Sequence, residues 1–299
     1  MRRWEWRWML GGLMAVAASV WSVGSLAADV PEKTQETLLG QERQIARTRA
    51  AFDEGFAMLS AKLATRADAQ TPAMAPLADV LAFRAGQVGW ARLEGSDYMA
   101  YLSKGKPKGW NVVVPPGHPK LQDMDSSLTM IVDGDLFVVL IEPVDFDPIW
   151  AGVFGVHENS HLRDRAEGIE PLSPSHEEFM RGEYRAYRAE MLAADVMTDG
   201  RAARAIDAVI AGRAPADFAE VAGWSTTLTP EEMARIDLAF GGAAESKEEG
   251  ELRGGFYALG LMIRYADAHG LGERPVIDAL DRLMHPDNAP QTDKTNKKS

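Results

Sequence analysis

Apolar residues recur at helical spacing along most of the chain. Residues 31–65 place apolar side chains three and four positions apart among charged ones, which is the pattern of a long helix backing a core. Gly40 and Gly55 weaken that helix without ending it. A second, shorter helix is predicted over residues 77–85, after a loop rich in Ala, Asp, Thr and Pro.

The middle of the chain shows the branched and apolar runs of strands instead. Residues 110–114 form a β-branched run that ends at Pro115. Residues 128–132 and 136–141 flank Asp133-Gly134, a residue pair favoured in two-residue hairpin turns. We therefore predict an α+β fold, predominantly helical, in which a small antiparallel sheet packs on the helix after the hairpin and on a second helix that carries Glu.

Helix starts and stops are marked in the second half of the chain. Asp147-Pro148 combines an N-cap residue with a proline at the first helical position, and Gly168 is a suitable stop. Ser175 and Glu178 have capping-box spacing before a helix predicted to end near residue 197. The remaining predictions are helices over residues 202–211, from Thr229 to the glycines at 241 and 242, over 251–269 and over 275–284, and a disordered tail over 286–299.

The composition is that of an ordinary globular protein, with 46% hydrophobic and 25% charged residues. The formal net charge of −12 disfavours nucleic acid and anionic membrane surfaces as partners. Cysteine is absent, which excludes disulfides, Cys-ligated zinc and a lipidated N-terminal cysteine.

The first 27 residues have the pattern of a cleaved secretory signal. Three arginines precede an apolar run over residues 10–20, and Ser25 and Ala27 supply the small residues of a cleavage site. That run is short for a transmembrane helix, and no later stretch reaches the roughly 20 apolar residues of a membrane span. We expect a periplasmic or secreted bacterial protein without stable membrane insertion after signal cleavage.

The most specific pattern is His157-Glu158-Asn159-Ser160-His161, an H-E-x-x-H motif on the helix predicted after Pro148. Positions i and i+4 share one helix face, so both imidazoles can point at a single ion with Glu158 beside it. Two imidazole ligands, an adjacent carboxylate base and an open position for water meet the needs of a zinc hydrolase. We expect the two His on the apolar, inward side of the helix, away from a charged side that begins at Arg163. The alternative is a pair of core histidines bonded to neighbours.

The order of hairpin, H-E-x-x-H helix and second Glu-bearing helix resembles the gluzincin branch of the zincin metallopeptidases over about residues 128–197. The resemblance implies that His157 and His161 bind zinc and that Glu158 polarises the attacking water. It also implies that a Glu on the following helix is the third ligand.

The chain departs from related patterns at three positions. Asp164 and Glu167 stand where the metzincin branch has Gly and His, and Tyr187 stands where thermolysin-type helices carry an Asp that supports the site. The segment that begins at Tyr257 and ends at Gly260 resembles the Y-x-x-G start of a late helix in bacterial gluzincin-like proteins.

Glu183 is the predicted third zinc ligand. It lies two turns into the second helix, after a connection long enough for an antiparallel return. Glu190 is its competitor, about 10 Å further along the same face, and Glu167 follows the motif helix too closely. The alternative is a solvated Glu183 that pairs with a nearby arginine.

Together these features predict a secreted zinc-dependent metallopeptidase with Zn²⁺ as cofactor, a peptide or protein substrate and Glu158 as general base and acid. Tyr257, Tyr187 and His176 are candidates for the donor that stabilises the oxyanion, and the strand at 128–132 is a candidate for pairing with an extended substrate. There are two alternatives: a zinc-dependent amidase or other hydrolase that acts on a non-peptide substrate, and a non-catalytic periplasmic binding protein.

The sequence carries no signal for an oligomeric state. The predicted organisation is a signal peptide at 1–27, an N-terminal helical region at 28–108, a zincin-like catalytic domain at 109–285 and the tail at 286–299.

Overall fold

The computed structural model of the protein describes residues 32–85, 90–92, 110–114, 127–132, 135–141, 147–171, 174–224, 228–244 and 247–285. The predicted signal peptide, the hairpin turn at Asp133-Gly134 and the C-terminal tail lie outside the described residues. The chain divides after residue 172 into two compact units, which we call the N-terminal unit and the C-terminal unit. The boundary predicted at residue 109 falls inside the N-terminal unit.

The described part of the N-terminal unit contains α1 (Glu32–Thr65), α2 (Ala75–Ala85), β1 (Trp90–Arg92), β2 (Trp110–Val114), β3 (Ser127–Val132), β4 (Asp135–Ile141) and α3 (Pro148–Ala166). The described part of the C-terminal unit contains α4 (His176–Met197), α5 (Arg201–Arg213), α6 (Phe218–Gly223), α7 (Pro230–Ala239), α8 (Lys247–His269) and α9 (Arg274–Met284).

The described strands form one mixed sheet in the order β1-β2-β4-β3. β3 and β4 pair antiparallel, as the Asp-Gly turn signal requires, but β2 pairs parallel with both β1 and β4. The predicted α+β fold with a small antiparallel sheet is therefore wrong: the described chain is a helical protein, and its few strands pair mostly in parallel. A turn signal determines the direction of one pairing only, because nothing local to a strand marks which distant strand becomes its neighbour.

α1 and α3 approach each other closely at glycines. A Cβ atom on Gly55 would lie 2.3 Å from the carbonyl oxygen of Pro148 and 2.5 Å from the backbone nitrogen of Gly152, which is closer than real Cβ atoms come. A Cβ on Gly152 would lie 3.0 Å from the backbone of Gly55, and one on Gly155 would lie 2.7 Å from the Phe56 ring. The two backbones can therefore pack this tightly only because side chains are absent at the crossing. Gly55 lowers the helix propensity of α1, but it allows α1 to pack closely against α3.

α3 is buried on nearly every side within the N-terminal unit. α1, α2, β3 and β4 pack against it. The apolar residues buried around this helix are Phe52, Phe56, Leu59, Leu77, Val80, Trp150, Val153, Val156 and Leu162. Arg163 and Asp164 are only 7% and 1% exposed, and the Arg163 guanidinium donates to the Asp164 carboxylate at 3.0 Å. The predicted charged outer side of this helix is therefore wrong, because the charges neutralise each other inside the unit.

The predicted signals at helix starts are confirmed. The Asp147 carboxylate accepts the Ile149 N–H at 2.7 Å and so caps α3, with Pro148 in the first turn. Ser175 and Glu178 form the predicted capping box at the start of α4. Each of these signals depends on residues no more than three positions apart, so it can be recognised in the sequence without knowledge of the fold.

α8 is the central helix of the C-terminal unit, with α4, α5, α6, α7 and α9 packed against it. Its buried residues include Phe256, Tyr257, Leu261, Met262 and Ile263. A Cβ on Gly260 would lie 2.9 Å from the Ile206 side chain of α5 and 3.0 Å from the Met191 sulfur of α4. Gly260 therefore sets how closely α8 approaches both neighbours.

Two short elements were not predicted. β1 has three residues and α6 has six, and neither is long enough for a period to emerge from its sequence. The start of α8 at Lys247 also precedes the predicted start at residue 251. Gly250 lies in that first turn, and its low helix propensity favours a later start.

The glycine crossing makes a testable prediction. Gly55→Ala should cost about 1–3 kcal/mol in the free energy of unfolding, or more, because its Cβ meets backbone atoms that cannot rotate away. Denaturant titration of the full chain followed by circular dichroism measures this loss. Gly40→Ala is the matched control on the same helix, since nothing lies within 4 Å of its Cβ position. It should stabilise the protein by about 0.5–1 kcal/mol. Equal unfolding midpoints for the two variants would contradict the proposed crossing.

Candidate metal centre

The two motif histidines lie one turn apart on α3. Their ring centroids are 5.1 Å apart with an interplanar angle of 67°. His161 is 5% exposed and His157 is half-buried, so the pair leads from the interior of the N-terminal unit towards its surface. Glu158 is half-buried beside His157. The helix thus presents two imidazoles from one face, as the i, i+4 spacing predicts.

The His161 ring forms a hydrogen bond with a buried carboxylate. Its Nδ1 lies 3.1 Å from Oε2 of Glu170, which is 1% exposed. The other carboxylate oxygen of Glu170 accepts from the Arg165 guanidinium at 2.8 Å. A histidine ligand whose second ring nitrogen bonds a carboxylate is fixed in both orientation and tautomer.

The charge state of Glu170 decides which nitrogen of His161 donates. Burial raises the pKa of Glu170, but the hydrogen bond and charge of His161, together with Arg165, outweigh it and leave the pKa below its usual value. An ionised Glu170 can only accept, so Nδ1 of His161 carries the proton. In the neutral ring the lone pair is then at Nε2, the nitrogen that a metal ion would use.

Glu170 reaches His161 because the chain turns back immediately after α3. Gly168 has a positive φ of 74°. The N–H groups of Ile169 and Glu170 both donate to the Asp164 carbonyl, at 2.7 and 3.0 Å. This turn returns the chain along the helix it has just left, a common ending where glycine supplies the left-handed residue. Gly168 is the predicted stop of this helix, but Glu170 is not among the residues predicted for the site. An acid two residues after such a glycine is the signal available in the sequence.

Asn159 occupies the interior of the motif. It is 1% exposed, and its Nδ2 donates to the Gly155 carbonyl at 2.8 Å. Ser160 is equally buried. The two variable positions of the motif therefore face protein, which leaves His157 and Glu158 as its more accessible members.

The other predicted site residues belong to the C-terminal unit. Glu183 is half-buried on α4, whereas Glu190 on the same helix is only 2% exposed. His176 opens α4 and is exposed, and Tyr187 is half-buried. Of the two candidate third ligands on α4, Glu183 is thus the more accessible.

Tyr257 is a core residue of the C-terminal unit. It is 1% exposed, and its hydroxyl donates to the Asp237 carboxylate. Burial, then the hydrogen bond and the charge of Asp237, raise the pKa of Tyr257 far above its usual value. Arg253 also bonds Asp237, at 3.3 Å. These contacts give the hydroxyl a structural role inside its unit, so they lend no support to the predicted oxyanion role of Tyr257.

Comparison with protein-family models, curated proteins and solved structures found no match. The likeness to zincins therefore rests on the residues of the chain alone. Among the described helices, none is both long enough and apolar enough to cross a membrane.

Glu170→Gln should destabilise the N-terminal unit, because a neutral amide cannot offer two acceptor oxygens to His161 and Arg165. We expect a loss of about 1.5–3 kcal/mol in the free energy of unfolding near neutral pH, measured on chelator-treated protein. The folded-state pKa of Glu170 is lowered, so its contribution is present above the unfolded pKa of about 4.3. That contribution is lost as the pH falls through the folded pKa, so the difference from wild type should narrow in acid.

Glu167→Gln is the matched control for this prediction, since Glu167 is exposed three residues earlier in the same turn. It should leave the unfolding free energy within about 0.5 kcal/mol of wild type. A difference between wild type and Glu170→Gln that is constant with pH would show that the charge of Glu170 does not stabilise the fold.

Proposed function

We propose that this protein is a secreted zinc-dependent metallopeptidase. The observation that carries the proposal is the pair of imidazoles one turn apart on α3, the inner one bonded through Nδ1 to Glu170. A structural core histidine needs a hydrogen-bond partner but no second imidazole beside it. Two histidines that share a face, one of them fixed in its tautomer by a buried carboxylate, fit a metal site better than a core pair.

The proposed zinc ligands are His157, His161 and Glu183. His157 and His161 share one face of α3, and the resemblance to gluzincins implies that the carboxylate ligand comes from the helix that follows. Two imidazoles and a carboxylate form the ligand set of catalytic zinc sites that keep a fourth position open. Bound zinc lowers the pKa of water to about 7 and polarises a carbonyl group.

Glu158 is the proposed proton carrier. It follows His157 directly on α3, so helix geometry puts it next to the face that the two imidazoles share and not on that face. In this role it accepts the proton of the attacking water and passes it to the amine that leaves when the peptide bond breaks. The half-buried position of Glu158 leaves it accessible to both partners of the proton transfer.

The sheet provides a means of holding an extended substrate. β3 lies at one end of the described strand order and pairs only with β4 within it. A peptide could add to such an edge through main-chain hydrogen bonds, which are indifferent to side-chain identity. A peptide or protein substrate is therefore preferred over the small non-peptide substrate of an amidase.

Metal content and hydrolysis test the proposal together. His157→Ala should lose one equivalent of zinc relative to wild type and all hydrolysis, because an imidazole ligand is gone. Glu158→Gln should keep the zinc content of wild type and lose at least about a hundredfold in kcat on a peptide library. Glu167→Gln, at the exposed end of the same helix, should retain both properties. Wild-type cleavage by Glu158→Gln would refute the mechanism.

The same assay separates the competing assignments. Glu183→Gln should lose the equivalent of zinc that His157→Ala loses, whereas Glu190→Gln should keep it; the reverse result would move the third ligand one helical repeat along α4. If the zinc-loaded protein cleaved non-peptide amides but not peptides, the amidase alternative would be favoured. A wild-type protein that takes up no zinc would favour a non-catalytic binding protein.

We further propose export to the periplasm or medium with removal of the first 27 residues. The arginine-rich start, apolar run and small residues before position 28 support this proposal. N-terminal sequencing of the fractionated protein should find an end near Ala28. Recovery of material that still begins at Met1 would indicate a retained anchor instead.

A further inference from the structure

We propose that His176, Asp281 and His285 form a second metal site, within the C-terminal unit, for a divalent transition-metal ion of the zinc class. One ligand atom of each side chain lies within 4.8 Å of the other two. The His176 Nε2 is 3.0 Å from the Asp281 carboxylate, and the rings of His176 and His285 have centroids 5.1 Å apart. None of the three is a proposed ligand of the peptidase zinc or the proposed proton carrier, and His176, one of three candidate oxyanion donors in the sequence, is assigned to this second site instead.

The backbone places these three residues firmly. His176 is the first residue of α4, whose start is fixed by the capping box of Ser175 and Glu178. Asp281 and His285 lie one turn apart at the end of α9, and the His285 N–H donates to the Asp281 carbonyl at 2.8 Å. α4 and α9 pack against each other. The site is thus built from the start of one helix and the end of another.

The separations suit an ion with short bonds. Ligand atoms about 2.0–2.2 Å from a tetrahedral zinc ion lie roughly 3.3–3.6 Å from one another. The distance between His176 Nε2 and the Asp281 carboxylate, 3.0 Å, needs to lengthen by a few tenths of an ångström, and no separation among the three ligand atoms, all within 4.8 Å, needs to shorten by more than about 1.5 Å. The His176 and Asp281 side chains are 54% and 37% exposed, so both can rotate to make these adjustments.

The ligand types select the class of ion. Two imidazoles with one carboxylate suit zinc, copper and nickel, whereas calcium and magnesium prefer oxygen ligands throughout. Two nearby carboxylates already have partners, since Arg274 bonds Glu177 at 3.3 Å and Asp278 at 2.9 Å. A simple ion pair between His176 and Asp281 would not account for the second imidazole at His285, which supplies a third ligand on the same side.

An ion at this site would join the start of α4 to the end of α9. Because the unfolded chain does not hold the three ligands together, binding would favour the folded C-terminal unit. The site is therefore a structural clamp, and its occupancy should be visible as thermal stabilisation without any effect on hydrolysis.

The test uses untagged full-length mature protein that carries His157→Ala, so that the proposed peptidase site no longer binds zinc. Zinc chloride is the probe. The variant should bind one zinc per chain, with a rise in unfolding temperature and shifts of the imidazole nitrogen resonances of His176 and His285. Adding His285→Gln should abolish the bound equivalent and the temperature rise.

Two further variants keep the result decisive. Adding His176→Gln should abolish the bound zinc and the temperature rise in the same way as His285→Gln. Agreement between two substitutions on different helices makes a folding defect in one variant an insufficient explanation. Adding His269→Gln is the matched control, because His269 lies in the same unit and bonds the Tyr265 carbonyl at 2.9 Å, outside the cluster. It should retain zinc binding. The second site would be overturned if the His157→Ala protein bound no zinc. It would also be overturned if adding His269→Gln removed as much bound zinc as adding His285→Gln. Neither result would bear on the proposed peptidase site.

Discussion

The backbone contact between α1 and α3 is the constraint on which the N-terminal unit depends. Glycine at positions 55 and 152 lets the two helices approach until only backbone atoms separate them. Beside this contact the aromatic rings of Phe52 and Phe56 lie against α3, and Trp150 of α3 is completely buried. The helix that carries the two imidazoles is therefore held by close backbone packing over its first two turns, immediately before the motif.

Because most of α3 is buried, the charged side chains inside the unit need partners. Arg163 bonds Asp164 and the Pro76 carbonyl, the latter at 3.4 Å, while Arg165 and His161 share Glu170. Buried ion pairs add little net stability, because desolvation opposes their attraction. Their value lies in what their loss would cost, since an unpaired buried charge is strongly unfavourable. Other rotational settings of the helix are therefore disfavoured, because they would leave these buried charges unpaired.

Features of this fold that depend on adjacent residues could be predicted from the sequence, and those that depend on distant partners could not. The cap at Asp147 and the capping box at Ser175 involve neighbours within one turn. Gly55, by contrast, acquires its role only from Gly152, which the sequence does not place beside it. The parallel pairing of β2 with β4 is non-local in the same sense.

The candidate site was predictable to the same extent. The spacing of His157 and His161 gave their shared face, because that follows from helix geometry alone. Glu170 could not be ranked without knowing that the chain reverses at Gly168. The burial of Arg163 and Asp164 could not be predicted, because a charged side chain usually indicates solvent exposure, whereas charges that pair with each other can be buried. The role of Glu183 stays a prediction.

The end position of β3 has a consequence for self-association. Ser127–Val132 contains six consecutive residues without charge or proline, and in the described sheet it pairs on one side only. Short uncharged segments of this composition pair readily with copies of themselves, because an open strand edge offers a template for the next chain. The feature that could hold an extended peptide therefore also carries an aggregation hazard. In a newly synthesised chain, this segment needs to be covered by β4 before it meets its counterpart in another molecule.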